Sequence, residues 1–167
     1  MQPSNNNTKA YCDADSRLMV DILSISFDGS VANSNLYKRA TNTAEQHFFQ
    51  RVSTQYRTLC DSLLVSLASL PKDSGTMNLE AGYIAKAYLM ALKSSDKHAP
   101  SRVMSVNRQA LKRIRRMVER ISDRLFASWI SQYLAWIQMT LDHVQQQRSA
   151  MLTLEPGCGN REQLSQH

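Results

Sequence analysis

Seven arginines and one lysine fall within a short stretch of this chain: Arg102, Arg108, Lys112, Arg113, Arg115, Arg116, Arg120 and Arg124. Only Glu119 and Asp123 oppose them there. The stretch therefore carries the whole net charge of +6, and the remainder of the chain is neutral. At the helical step of about 100° per residue, Arg108, Lys112, Arg113, Arg116, Arg120 and Arg124 share the face opposite Ile114, Met117, Val118 and Ile121. Arginine dominates, and its planar fork suits two-point contacts to carboxylates or phosphates. Such a field draws an acidic protein surface, a nucleic acid or an anionic membrane face. The plainer alternative is a solvated helix face partly met by the chain's own acids.

A second group is apolar. Between Leu125 and Leu141 the cations give way to Trp129, Tyr133, Trp136 and Ile137, types enriched where proteins bind one another. They are the candidate apolar partner interface, with burial in the core as the competing expectation. The doublets Trp129-Ile130 and Trp136-Ile137 superficially resemble the second homology segment of apoptosis-regulating helical proteins. That resemblance covers about ten residues of the 167. Leu134 and Ala135 stand where that family has paired glycines, and its N-W-G-R signature is absent, so no family is assigned.

Other chemistries find little footing. His47, His98, His143, His167 and the cysteines Cys12, Cys60 and Cys158 show no C-x-x-C, H-x-x-x-H or E-x-x-H spacing, so no metal is expected. No glycine-rich phosphate cradle occurs. Cys60 lies in an apolar stripe and reads as a packed side chain, while Cys158 has no neighbour that would activate it. His143 beside Asp142 reads as a solvated pair at a helix end, and His47 as the edge of the core. No cofactor, small-molecule substrate or catalytic group is expected, and the chain reads as a non-enzyme.

The elements that would position these groups are helices. Few glycines and prolines, 5 and 4, argue against a turn-rich β fold. A first helix from Ser16 carries Leu18, Met19, Ile22 and Leu23 on one face, with Asp28-Gly29-Ser30 as its stop. The second is headed by a capping box, Thr43 to Gln46. It runs on through Phe48, Phe49, Val52, Tyr56, Leu59, Cys60, Leu63, Leu64 and Leu67 to Leu70-Pro71. The third, Leu79 to Lys93, is capped by Asn78 with Glu80 in its first turn. It is apolar almost all round, as for a central helix or one lying on a second subunit. The last runs from about Arg102 to Gln147, on the order of 65 Å if unbroken, so it must kink or project.

The sum is an all-α antiparallel bundle of about four helices with a long C-terminal helix. It divides into a disordered lead over 1–14, a bundle over 15–150 and a flexible tail over 151–167. No apolar run is long enough to span a bilayer. The polar start lacks the stretch of a secretory signal, and three scattered cysteines favour a reducing compartment, so the cytoplasm is expected. The functional expectation is an adaptor-like or regulatory interaction protein. It would dock on an acidic protein surface or self-associate into a homo-oligomer through the aromatic-rich helix and the arginine face. Nucleic-acid binding by 102–124 is the alternative.

Overall fold

The computed structural model describes residues 6–68 and 82–153, with side chains placed for 14–68 and 82–146. Among these, every regular element is helical: α1 (Asn6–Arg39), α2 (Thr43–Ala68), α3 (Tyr83–Leu92), α4 (Ala99–Val118) and α5 (Arg124–Thr153). The proposed stops at Leu70-Pro71, the Asn78 cap, Glu80, and the Cys12, Cys158 and His167 side chains lie outside the described residues. Among the described residues there are five helices where about four were expected, because the expected helix over 102–147 is two.

The break has local and distant causes. Asp123 Oδ1 accepts from the amides of Leu125 and Phe126, both at 3.0 Å, and so caps a new helix. From α1, the Asp15 carboxylate accepts from the Ser122 amide at 3.0 Å and the Asp123 amide at 3.3 Å. Between them Ile121 turns into the core and is 1% exposed. The chain thus stays compact where an unbroken rod would have projected.

α1 departs further from expectation. It begins at Asn6, inside the segment read as a disordered lead, and passes through Gly29 to Arg39. Gly29 is not a stop but a contact. A Cβ there would stand 2.8 Å from Cε2 and 2.9 Å from Cδ2 of Tyr56, so glycine lets the tyrosine ring lie on the α1 backbone. The cap of α2 also shifts by one residue. Asn42 Oδ1 accepts from the Glu45 amide at 2.8 Å, and Gln46 Nε2 donates to the Ala40 carbonyl at 2.9 Å. At the other end of the chain, α5 reaches Thr153, past the expected bundle limit at 150.

α1, α2, α5 and α4 each touch the next in a closed ring, and α3 touches α1 and α4. Residue numbers rise on one helix as they fall on its neighbour. Ser30 meets Ser53 while Leu23 meets Cys60; Asn33 meets Asn107 while Asp15 meets Ser122; Arg108 meets Gln145 while Arg115 meets Gln138. The enclosed core includes Ile22, Phe49, Val52, Tyr56, Leu59, Leu63, Leu111, Ile114, Ile130, Leu134, Ile137 and Leu141.

Within that core four helices meet in a polar knot. Asn33 Nδ2 donates to Asn107 Oδ1 at 3.0 Å, and Asn107 Nδ2 returns a bond to Asn33 Oδ1 at 3.1 Å. The Tyr88 hydroxyl donates to Asn107 Oδ1 at 2.7 Å, and the Tyr56 hydroxyl to the Asn107 carbonyl at 3.5 Å. All four residues are buried. Buried polar groups of this kind fix one register, because any slip strands them without partners. α3 is less enclosed than its composition suggested. Ile84, Ala85, Tyr88 and Ala91 are buried, whereas Tyr83, Leu89 and Met90 face outward.

Candidate docking surface

α4 is sorted into two arcs. Val103, Val106, Asn107, Ala110, Leu111, Ile114 and Val118 are buried. Arg102, Lys112, Arg113, Arg115, Arg116 and Arg120 are exposed on the other side. From Arg102 to Arg120 the cations cover about 27 Å of helix. Of the six cations expected on the arc, Lys112, Arg113, Arg116, Arg120 and Arg124 are exposed and one lies inward of the rest. Arg108 is half-buried, and its Nη2 donates to Gln145 Oε1 of α5. Next along the same seam, Arg115 Nη2 donates to Gln138 Oε1 at 3.2 Å. Arg102 Nη1 donates to Ser94 Oγ at 2.8 Å.

The centre of the arc is unpaired. Among the described residues, Lys112, Arg113, Arg116, Arg120 and Arg124 make no ion pair and no side-chain hydrogen bond. An ion pair does form elsewhere, between Arg39 and Asp96. Among the described residues these cations are thus not spent on acids, and their fields add over the surface. Arg124 opens α5 instead of closing α4, but it stays in the same neighbourhood. A cleft of about 450 Å³ at the α4–α5 corner is lined by Arg115, Glu119, Arg124, Ser128 and Ser131 over Val118, Ala127 and Leu134.

The apolar candidates divide. Ile137 is 0% exposed and belongs to the core with Ile130, Leu134 and Leu141, so it is not an interface residue. Alternating steps of four and three from Ile130 through Leu134 and Ile137 to Leu141 mark one face of α5, a spacing present in the sequence. Trp129 and Tyr133 are half-buried at the edge of the core. Trp129 stacks on Phe126 with ring centres 5.4 Å apart and meets Tyr133 edge-on at 5.0 Å. Trp136 is 45% exposed and Met139 70%. They border a groove of about 660 Å³ between α2 and α5 that also takes in His47, Phe48, Arg51 and Val144.

Gln55, at the back of this region, went unnoticed in the sequence. Its Nε2 donates to Thr140 Oγ1 at 2.9 Å and ties α2 to α5, while its Oε1 is buried without a partner.

The thiol and phenols inside the bundle are held protonated. Burial pushes the Cys60 thiol up to about 12, with the Asp61 and Asp28 carboxylates adding to the effect. Burial likewise raises Tyr56 and Tyr88 above the ordinary phenol range. A thiol in that state is a poor nucleophile. Among the described residues no three His, Cys, Asp or Glu side chains gather as a metal cluster, and no helix is long and apolar enough to cross a membrane.

No family model matches the chain, and no curated protein or solved structure is similar to it, so this surface is interpreted from its own geometry.

Proposed function

We propose that the chain is a non-enzymatic, adaptor-like docking protein, built on an antiparallel four-helix frame of α1, α2, α4 and α5 with α3 laid over the α1–α4 seam. Its α4 face receives an acidic surface of a partner protein. The observation that carries this reading is the row of exposed cations, Lys112, Arg113, Arg116 and Arg120, none of which forms an ion pair among the described residues. A fold that wanted this face only for solubility would mix the signs of its charges. Here Glu119 is the one acid between Arg102 and Arg120. The α4–α5 cleft extends the face to Arg124 and adds serine hydroxyls that could accept or donate at its rim.

A second reading, nucleic-acid binding, is favoured by the guanidinium majority along a straight helix, which suits a phosphate backbone. The stretch from Arg102 to Arg124 holds no aromatic residue of its own, and the exposed Tyr83 of α3 lines a cleft with Arg113 at its flank only, so a row of stacking platforms is lacking there.

The two readings separate in one experiment. A labelled oligoglutamate peptide and a labelled short DNA duplex are titrated with the protein across a salt series. Under the protein-partner reading, oligoglutamate binds, and Arg113→Glu, Arg116→Glu and Arg120→Glu together abolish that binding. Preferential duplex binding, falling several-fold for each doubling of salt, would replace the first reading with the second. Binding of neither probe would remove both.

A further inference from the structure

α5 carries a second, largely apolar stripe that its own fold covers only in part, at Trp129. Leu125, Trp129, Gln132, Trp136, Met139 and His143 follow one another at alternating steps of four and three, the spacing of a coiled-coil seam. This stripe faces away from the core stripe Ile130, Leu134, Ile137 and Leu141. Leu125 is 85% exposed, Met139 70% and Trp136 45%. It covers about 27 Å of helix.

We propose that this stripe is the contact face for a second copy of the chain, packed antiparallel about a two-fold axis near Leu134. Three observations on α5 lead to that occupant. A two-fold contact requires a surface that complements itself, and the stripe is laid out that way. Trp129 and Met139 lie five residues either side of Leu134, Gln132 and Trp136 two, and Leu125 and His143 nine. Antiparallel copies therefore set Trp129 on the copy's Met139, an aromatic on a thioether, and Gln132 on the copy's Trp136.

The charges agree in sense. Between Arg124 and His143 the charged residues of α5 are Arg124 at one end and Asp142 at the other, both exposed. Antiparallel packing brings Arg124 to the copy's Asp142 at both ends, whereas parallel packing would oppose like charges. Finally, the groove of about 660 Å³ beside Met139 opens where the copy's Trp129 arrives. This surface meets the α4 arginine face only at Arg124, and changes at Leu125 and Met139 leave Lys112, Arg113, Arg116 and Arg120 in place, so either proposal can fail alone.

Light scattering and sedimentation of the full chain provide the test. The expected mass is twice 19.0 kDa at tens of micromolar, retained in high salt because the seam is mainly apolar. Leu125→Glu with Met139→Glu alters two exposed positions, so helicity by circular dichroism should stay and the mass should fall to 19.0 kDa. Arg124→Asp should weaken the dimer several-fold, and adding Asp142→Arg should restore it. A wild-type chain at 19.0 kDa throughout overturns the proposal, even if a foreign helix is later found on the stripe. A dimer indifferent to the double variant overturns it as well, since its contact would lie elsewhere. A dimer lost in the double variant but unmoved by the charge exchange overturns the antiparallel register.

Discussion

α4 and α5 lie side by side, yet they use their surfaces differently. α4 has one buried arc, and everything else it shows to solvent is polar or cationic. α5 has a buried stripe, a polar edge toward α4 through Gln138 and Gln145, and a second apolar stripe facing out. The two helices teach that richness in apolar residues does not place a side chain. Ile137 and Trp136 are neighbours in sequence, and one is sealed while the other is 45% exposed. Periodicity decides which of two adjacent residues the fold consumes and which remains for a partner.

The sharpest break in this comparison comes from substituting those neighbours. Ile137→Ala should cost about 2–5 kcal/mol in denaturant unfolding, since it empties a closed site. Trp136→Ala should cost less than about 1 kcal/mol. Equal losses would place both on one face and dissolve the distinction. Next comes the interior of α4. Asn107→Ala takes the acceptor from the Tyr88 hydroxyl and the donor from Asn33 Oδ1, while Asn33 Nδ2 keeps the Gly29 carbonyl at 2.7 Å, with an expected loss of about 2–3 kcal/mol. No comparable loss is expected from Gln109→Ala on the outer arc of the same helix.

The junction between the helices is worth less. Asp123→Ala removes the side-chain cap of α5 and should cost about 1 kcal/mol, with faster amide exchange confined to Leu125 and Phe126.

The smallest effect at ordinary pH is alkaline. Cys60 ionises near its ordinary value when unfolded and only at about 12 when folded, and Tyr56 and Tyr88 are raised in the same direction. Above pH ~9 the unfolded chain releases protons that the folded chain keeps, so the contribution of these three groups to stability should be constant below pH ~8 and fall as pH rises toward 12. Tyr88→Phe should shallow that fall. A melting temperature constant to pH ~11 would show these groups to be solvated.

Much of this architecture was legible in residue order. The helical class, the core stripe of α2 from Phe48 to Leu63 and the outward placing of the α4 cations follow from spacing, whereas Leu64, expected on the same stripe, is 45% exposed. What escaped needed partners distant in sequence. Gly29 reads as a stop until the Tyr56 ring is laid against it. Ser122-Asp123 reads as mid-helix until Asp15 arrives from α1 to take the free amides. Asn33 and Asn107, 74 residues apart, give no sign that they pair. The Asn42 cap, by contrast, is local, and it competes with Thr43 one residue later, another residue type favoured at helix N-caps.

Amide and arginine Nε–H chemical-shift mapping with oligoglutamate tests the docking surface most directly. The arginine-face account predicts saturable shifts at Arg113, Arg116, Arg120 and the adjoining α4 amides, extending to Arg124, with the outward stripe of α5 unmoved. Shifts of similar size at Arg17, Arg51 and Arg57, or none on α4, would contradict it.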